Sequence, residues 1–372
     1  MPKFIKNALK SLAILFFLLT IYVGGALIFG TLTDFQPKAV IPLKAEQTSK
    51  LTAVEDSILS FVSWNIGYGG LGTESNFFLD SHGKYFACDK MVRAPREYVE
   101  KNVAGILRFA TTFPSDFYLF QEVDYHSKRS YFMDEFEKIK KALPKFSAWF
   151  SVNYKSDWIP IPVFEPWKGY GEVFSGLATF ARFQPTQSTR FQLPGEYGWP
   201  TRIFQLDRCA AMHRFAVKNG RELVVINIHN SAYDVDGILK KQQMDFLKQM
   251  VLGEYQKGNY VLLGGDWNMC PPNFPADHFM PGKGQDYRQL NIDSDFLPAS
   301  WQWAYDPSTP TNRKLTDVYQ PSKTFVTLID FFLVSPNIKV LKINGIDMGF
   351  RFSDHQPVRV EVKLLSEKEE VE

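Results

Sequence analysis

The sequence predicts an α/β fold: a two-sheet α/β sandwich with flanking helices, preceded by one N-terminal transmembrane helix. Short runs of apolar, β-branched and aromatic residues alternate with longer segments of helical periodicity, which is the pattern of an α/β domain. Hairpin-like runs of strands occur between the helical crossovers, which favours two packed sheets over one doubly wound parallel sheet. An uncharged apolar run over residues 11–30 comes first. Roughly 20 residues of helix span a hydrocarbon core of about 30 Å.

Charges on either side of this run predict its orientation. Lys3, Lys6 and Lys10 precede it, and Asp34 follows it. Because positive charge stays on the cytoplasmic side, we expect a single-pass cell-membrane protein whose folded domain is extracytoplasmic. A cleaved signal peptide is one alternative, although its apolar core is usually shorter, about 7–15 residues, and a buried soluble helix is another. The predicted organisation is a basic cytoplasmic tail (1–10), a signal anchor (11–30), a linker (31–56), a folded domain (57–363) and a charged tail (364–372).

The composition excludes several classes of protein. The chain has 372 residues, of which 45% are hydrophobic and 22% charged, so it is neither a mini-scaffold nor a disordered chain. Its 42 basic and 40 acidic residues give a net charge of +2, which excludes a histone-like polybasic binder but is compatible with a local basic groove. Cys88, Cys209 and Cys270 lack CxxC spacing, which argues against a zinc ribbon, a redox pair or a disulfide framework.

The predicted elements follow from local periodicity. Helices are predicted at 94–110, 131–142 and 238–255, where apolar residues recur at helical spacing. Three segments rich in Gly, Pro and aromatic residues fit no regular pattern and are expected to be functional loops: 67–92, 153–175 and 271–313. Apolar or β-branched runs predict strands at 58–64, 117–121, 177–181, 214–217, 223–229, 260–264, 328–334, 339–343 and 358–362.

Polar side chains recur where the predicted strands end. Each one alone is typical of a turn or a solvated strand end, but six strands that all deliver such groups indicate a shared site. Buried groups of this kind must pair with one another or with a metal. Carboxylates without cysteine favour Mg²⁺, Mn²⁺ or Ca²⁺ over zinc. The residues are Asn65, Glu122, Asn227, His229, Asp266, Asn268, Asp330, Asp354 and His355.

The ordered motifs SWNI, QE, NIH, GDWN, ID-F-F-L and SDHQPV resemble those of the endonuclease/exonuclease/phosphatase superfamily. The resemblance covers residues 57–363. It implies a hydrolase that cleaves a phosphoric ester by in-line attack of activated water, with at least one divalent metal, most simply Mg²⁺ or Mn²⁺, with Ca²⁺ as an alternative. Three positions depart from the family pattern: Ala181, Asn230 and Trp267 stand where Ser, Leu and Phe are usual.

The resemblance also implies roles for individual residues. Glu122, Asn65 and Asp354 match residues that place the metal. Asp266 and His355 match the two candidates for the general base, and the choice between them stays open. The remaining catalytic matches are Asp330, which orients His355, Asn268, which contacts the phosphate, and His229, the second imidazole of the deoxyribonuclease and sphingomyelinase branches.

The sequence leaves the substrate open between nucleic acid and phospholipid. A phosphodiester is favoured; a phosphomonoester such as an inositol phosphate and a non-catalytic binding module are the alternatives. The membrane is an expected partner through residues 11–30, and no obligate protein partner is implied. A phospholipase would use aromatic loops such as 158–167 and 301–305. A nuclease would use a basic face drawn from Arg93, Arg96, Lys128, Arg129, Lys155, Lys168, Arg313 and Lys314.

Overall fold

The structure is a computed structural model. It describes residues 2–81, 83–232, 234, 236–280 and 289–370. Among these residues the helices are α1 (Lys3–Leu32), α2 (Arg96–Thr112), α3 (Glu135–Ala142) and α4 (Ile238–Gln256). The strands are β1 (Val40–Pro42), β2 (Ile58–Asn65), β3 (Phe117–Asp124), β4 (Ser147–Ile159), β5 (Gly171–Ala181), β6 (Gln187–Gln192), β7 (Cys209–Ala216), β8 (Glu222–His229), β9 (Tyr260–Asp266), β10 (Gln302–Ala304), β11 (Asn312–Arg313), β12 (Val326–Thr327), β13 (Asp330–Val334), β14 (Ile338–Gly345) and β15 (Val358–Leu364).

Two large mixed sheets form the body of the domain, as the sequence predicts. Within the described part of the chain, one sheet has the order β1-β6-β7-β8-β9-β13-β10 and the other β14-β15-β2-β3-β5-β4. Each contains one parallel pair, β8 with β9 and β2 with β3, and its other pairs are antiparallel. A parallel pair needs a crossover connection. Helices α4 and α2 supply these two crossovers, which explains the mixture of hairpins and helices along the chain.

The core lies in three layers. Apolar side chains from both sheets meet between them, among them Phe61, Phe117, Leu223 and Phe332. On the outer faces, α2 and α3 cover the six-stranded sheet and α4 covers the seven-stranded sheet. The central strands therefore bury both of their faces, which is why they are almost continuously apolar in sequence.

Several elements differ from the sequence prediction in their bounds. Strand β4 occupies residues that had looked irregular, because its long antiparallel pairing with β5 outweighs the polar residues along it. Helix α3 begins after Asp134, whose carboxylate caps it by accepting a hydrogen bond from the backbone N–H of Glu137 at 2.7 Å. This helix is therefore shorter than the predicted segment 131–142.

Residues 31–56, expected to form a linker, follow the surface of the domain. Strand β1 adds to the edge of the seven-stranded sheet through antiparallel pairing with β6. Isolated bridges join Gln47 to Ala148 and Val54 to Val217, and Val54 is fully buried. Backbone pairing holds residues 31–56 along the domain. The sequence does not predict this pairing, because the paired segments are very short.

The register of the strands brings the functional ends together. In the six-stranded sheet, Asn65 pairs with Gln121, next to Glu122. In the seven-stranded sheet, His229 pairs with Asp266, and Asp266 pairs with Asp330 on the antiparallel β13. One edge of the sandwich, called the catalytic edge below, therefore carries the polar strand ends of both sheets.

Removing a core aromatic side chain should destabilise the domain strongly. Phe117 is fully buried, and its ring stacks on Phe61 with centroids 4.5 Å apart. We expect Phe117→Ala to lower the free energy of unfolding by about 3–5 kcal/mol, measured by chemical denaturation in mild detergent. Phe113→Ala is the control and should cost clearly less, since that ring is 43% exposed and, among the described aromatic rings, stacks only on Phe109, with centroids 4.8 Å apart. Equal effects of the two changes would contradict this view of the core.

Candidate active site

A buried aspartate–histidine pair lies at the centre of the catalytic edge. The Nδ1 atom of His355 is 2.8 Å from Oδ2 of Asp330. Asp330 is fully buried and His355 is 6% exposed. The Asp330 carboxylate accepts the Nδ1 proton and so leaves Nε2 pointing towards the other polar groups. This contact sets both the tautomer and the orientation of the ring.

Three carboxylates surround the imidazole and set its charge. Burial alone would lower the pKa of His355, but the negative charges of Asp330, Asp266 and Asp354 outweigh it and hold the pKa well above its usual value. The Nε2 atom lies 3.7 Å from Asp266 Oδ2 and 4.0 Å from Asp354 Oδ2. These charges favour the protonated ring, which can donate a proton or a charge-assisted hydrogen bond from Nε2.

Asn65 connects the two sheets across the site. Its Nδ2 atom lies 3.0 Å from Asp266 Oδ2 and 3.3 Å from Glu122 Oε1. Its Oδ1 atom accepts a hydrogen bond from the backbone N–H of Gly67 at 3.0 Å. Because the amide oxygen is occupied in this way, Asn65 presents its N–H groups to the site. That orientation suits contact with a phosphate or a carboxylate better than metal ligation.

Backbone geometry at the strand ends aims two of these side chains. Glu122 has a φ of 53° and lies where the register of β3 against β5 shifts, so a bulge turns its carboxylate towards the site. Gly265, with a φ of 152°, precedes Asp266. A Cβ atom there would lie 2.0 Å from the carbonyl oxygen of Ile228, so only glycine allows β8 and β9 to approach so closely before Asp266.

His229 lies on the other side of Asp266, and its pKa is shifted in the opposite direction. Its Nε2 atom is 3.3 Å from Asp266 Oδ2 and 3.8 Å from Glu122 Oε1. Burial, with the positive charges of Arg208 and His355 nearby, holds the pKa of His229 well below its usual value. The Asp266 carboxylate thus separates two imidazoles whose pKa values are shifted in opposite directions.

Asn268 is tied to the same strand end through its backbone. Its N–H donates to Asp266 Oδ1 at 2.9 Å, and its side-chain Nδ2 donates to the carbonyl oxygen of Asn230 at 3.0 Å. Its φ of 50° turns the chain sharply after β9. The ammonium group of Lys240 donates to the carbonyl oxygen of Asn268 at 3.0 Å and supports this turn from α4.

The donor set fits a divalent cation. Four carboxylates converge here, and burial raises the pKa of Asp354 to about 7, which shows that nearby positive charge does not compensate its ionised form. Glu122 and Asp354 offer hard oxygen ligands without a cysteine. Asp266, Asp330 and His355 also have ligand atoms within 4.8 Å of one another. In that second set, however, Asp330 already accepts the Nδ1 proton of His355.

Some residues of the site could not be inferred from the sequence. Asn312 Nδ2 lies 3.0 Å from His355 Nε2, brought there by a bridge between Asn312 and His355. Thr311 Oγ1 accepts hydrogen bonds from the backbone N–H groups of Ile329 and Asp330, both at 3.0 Å, which holds the start of β13. Both residues lie in a segment without periodicity, so only their tertiary contacts identify them.

The comparisons with known proteins agree with this geometry. The sequence model described as Endonuclease/Exonuclease/phosphatase family matches residues 62–355. The chain belongs to this family. It is therefore a hydrolase that acts on phosphoric ester bonds, as the ordered motifs predicted. No curated protein matches the chain in sequence.

Solved structures of the Endonuclease/Exonuclease/phosphatase family share the two-sheet fold at low sequence identity. An endonuclease/exonuclease/phosphatase from Beutenbergia cavernae is 18% identical with a TM-score of 0.56, over 83% of this chain and 72% of its own. The 2',3'-cyclic phosphatase ANGEL2 is 16% identical with a TM-score of 0.51, over 88% of this chain and 99% of its own. Human Nocturnin is 17% identical with a TM-score of 0.50, over 84% and 96%. These similarities concern the fold alone.

Removing the partner of His355 should lower the pKa of its imidazole. In Asp330→Asn the largest of the charges that stabilise the imidazolium is lost, so we expect the His355 ring to titrate at lower pH than in the unchanged protein. NMR titration of its Cε1–H signal in metal-free protein measures this shift. Asp354→Asn is the control and should lower the pKa less, since its carboxylate is 4.0 Å from Nε2. A larger shift in the control would contradict the assignment of the dyad.

Proposed function

We propose that this member of the family is a membrane-anchored, divalent-metal-dependent phosphodiesterase. The observation that carries the proposal is the grouping of the Asp330–His355 pair with Asp266, Asn65 and Glu122 at one edge of the sandwich. Helix α1 supports the anchoring, because its 18-residue apolar window has a mean hydropathy of 2.5 and is only 6% buried. The charges on either side of that helix support an extracytoplasmic domain.

The side chains of the site divide the work of phosphodiester hydrolysis. Asp266, flanked by two imidazoles, is placed to accept a hydrogen bond from the attacking water and to orient it. The Nε2–H of His355 donates to a phosphate oxygen and stabilises the charge that develops in the transition state. Asn65, Asn268 and His229 add neutral donors around the same position. The water and the leaving oxygen then lie on opposite sides of the phosphorus atom.

Glu122 and Asp354 would hold the metal ion. When bound, Mg²⁺ or Mn²⁺ supplies positive charge that polarises phosphate oxygens. Its charge would also favour ionisation of Asp354, whose pKa burial raises to about 7. The hard-oxygen character of both ligands is the reason that we favour Mg²⁺ or Mn²⁺, with Ca²⁺ as the alternative.

Many of the basic residues that could have formed a nucleic-acid track have other contacts. Arg129 is 4% exposed and pairs with Asp124 at 2.8 Å. Arg313 is 2% exposed and donates to backbone carbonyl groups, including that of Gly72 at 2.7 Å. Arg96 pairs with Glu100 on the surface. The described surface therefore offers fewer free basic groups than the sequence suggested. A nuclease is for this reason a weaker candidate function.

A direct comparison of substrates tests the proposed reaction. The full chain, in mild detergent, would be assayed with plasmid DNA, RNA, sphingomyelin and inositol phosphates in the presence of Mg²⁺. We expect release from a phosphodiester. Turnover of inositol phosphate alone would replace the phosphodiesterase by a phosphomonoesterase, and no turnover of any of the four would contradict the proposed reaction.

Two substitutions should each remove most of the activity without unfolding the protein. Asp266→Asn loses the carboxylate that orients water, and His355→Ala loses the charged donor. Each should lower kcat by about 10²–10⁴-fold, measured on whichever substrate is turned over, with thermal unfolding as the check on folding. The controls are Asp245→Asn and His126→Ala, whose side chains are 57% and 53% exposed. If either site variant keeps near-normal activity, the assignment of that residue is wrong.

Removal of divalent metal should silence the enzyme reversibly. We expect EDTA to abolish turnover and Mg²⁺ or Mn²⁺ to restore it, because the carboxylates alone carry too much negative charge to approach a phosphate. Added Mg²⁺ should also raise the melting temperature of the unchanged protein, since a ligand stabilises the folded state that binds it. Glu122→Gln should lose this shift, whereas Glu172→Gln, at a 43% exposed side chain, should keep it. Full activity after thorough chelation would refute the metal requirement.

A further inference from the structure

Helix α1 contacts the catalytic domain along its C-terminal third. Tyr22 and Phe29 lie edge-on to Trp158, with ring centroids 6.0 Å and 6.4 Å away. Near the end of the helix, a Cβ atom on Gly30 would lie 3.0 Å from Ile203 and 3.1 Å from Phe204. The described first half of the helix has no such contacts and is exposed. The apolar helix is therefore docked on the domain at a defined place.

The docking place is at the catalytic edge. Trp158 is near the C-terminal end of β4, and the antiparallel pairs of β4 with β5 and of β5 with β3 put Tyr154 level with Asp124, two residues from Glu122. Trp158 lies four residues farther along β4, which is about 13 Å at roughly 3.3 Å a residue, so it lies beyond the strand ends on the same side of the sandwich as the catalytic edge. In the other sheet, β1 begins eight residues after α1 ends. Its first residue, Val40, pairs with Phe191, and the register across β6 and β7 continues to Ile228, next to His229.

This register puts the exit of the helix close to the active site. Three strand steps separate β1 from β8, which is about 14 Å at roughly 4.8 Å a step. A cavity of about 360 Å³ lies between the exit of the helix and the active site. Its lining includes Asp34 and Pro37, from the segment that follows α1, and Arg208 and Ser231. Ser231 follows His229 by two residues.

The contacts of α1 also indicate how deeply the domain lies relative to the bilayer. Tyr22 and Gly30 are eight residues apart, which is about 12 Å along the helix. If the uncharged residues 11–30 fill the hydrocarbon core, then Trp158 and Phe204 lie beside the outer part of that core. Moving α1 outward until Trp158 and Phe204 left the hydrocarbon core would draw Lys6 and Lys10 into that core. Burying these two charges there is unfavourable. Tryptophan is also the side chain that the interface of a bilayer favours.

Trp199 extends this surface towards water. Its indole is 58% exposed, and its Nε1 atom donates to Thr31 Oγ1 of α1 at 3.1 Å. By contrast, the aromatic residues near 301–305, which the sequence offered as a second membrane contact, pack in the core. Trp301 is only 6% exposed, and Trp303 packs edge-on to Trp267 at 5.3 Å. The apolar surface beside α1 is therefore in a position to meet lipid, whereas residues 301–305 are not.

We infer that the catalytic edge faces the bilayer that holds α1, and that Trp158, Trp199 and Phe204 lie where the outer part of its hydrocarbon core meets the head groups. The inference rests on the proposed anchoring of the chain by α1. It narrows the proposed function, because a site that opens on the bilayer surface receives phosphodiesters of membrane lipids in preference to those dissolved in water.

Depth-dependent fluorescence quenching tests the surface. The full chain would be reconstituted into phosphatidylcholine bilayers whose acyl chains carry bromine either near the head group or near the bilayer centre. We expect strong tryptophan quenching by bromine near the head group, and a loss of most of it in Trp158→Phe combined with Trp199→Phe. The reporter variant Phe113→Trp is the matched control, because Phe113 lies beyond the opposite end of β3, and its added fluorescence should not be quenched.

Two results would overturn the inference. One is quenching that is unchanged when Trp158 and Trp199 are replaced. The other is quenching of the tryptophan at position 113, which would place the opposite edge on the membrane. Neither measurement uses catalytic activity, so failure of this inference is distinguishable from failure of the proposed reaction.

A comparison of turnover on two substrates tests the functional consequence. Trp158→Ala with Trp199→Ala should lower the hydrolysis of a head-group-labelled phospholipid in phosphatidylcholine vesicles and leave that of bis(p-nitrophenyl) phosphate in water unchanged. An equal loss on both substrates, or no loss on either, would contradict the orientation. If neither substrate is hydrolysed by the unchanged chain while the quenching holds, the proposed reaction fails and the membrane surface stands.

Discussion

The convergence of buried carboxylates at one edge of the sandwich is the constraint on which the rest of the structure depends. Asp266, Asp330 and Asp354 are each less than a tenth exposed and lie within reach of one imidazole. Such a group is stable only when positive charge and hydrogen-bond donors compensate it. The imidazole of His355 and the amide of Asn65 contribute to that compensation, and the proposed divalent cation would complete it. The groups that stabilise the fold at this edge are therefore the groups that the chemistry needs.

The two-sheet architecture allows these carboxylates to converge without disturbing the packing of the hydrophobic core. A hydrophobic core between the sheets and two helical layers outside them bury most strands on both faces. The polar groups are thereby confined to strand ends, where the backbone no longer needs to continue the ladder. The close approach at Gly265 and the bulge at Glu122 then aim individual side chains at one point. Rigid strands hold them there, which limits the reorganisation that catalysis would require.

The position of α1 relates this site to the proposed membrane surface. The helix does not simply tether a distant domain, because its last turns contact Trp158 and Phe204 and the chain then joins the sheet through β1. A docked anchor restricts the rotation of the domain and so selects which face meets the lipid. In a family whose fold serves many substrates, such an orientation is a physical means of restricting the substrate without any change to the catalytic residues.

Much of the site could be predicted from the sequence, because its residues lie at or beside the ends of strong apolar strands. Asn65, Glu122, Asp266, Asp330 and His355 carry their own local signal: a buried run, a polar end and a motif in a set order. The tertiary structure alone decided the orientation of the Asn65 amide, the approach of Asn312 to His355, the burial of Arg129 and Arg313, and the docking of α1 on the catalytic edge. These features depend on contacts between segments far apart in the chain. Local periodicity reports which face of a segment is apolar, but it contains no information on which distant segment will cover it.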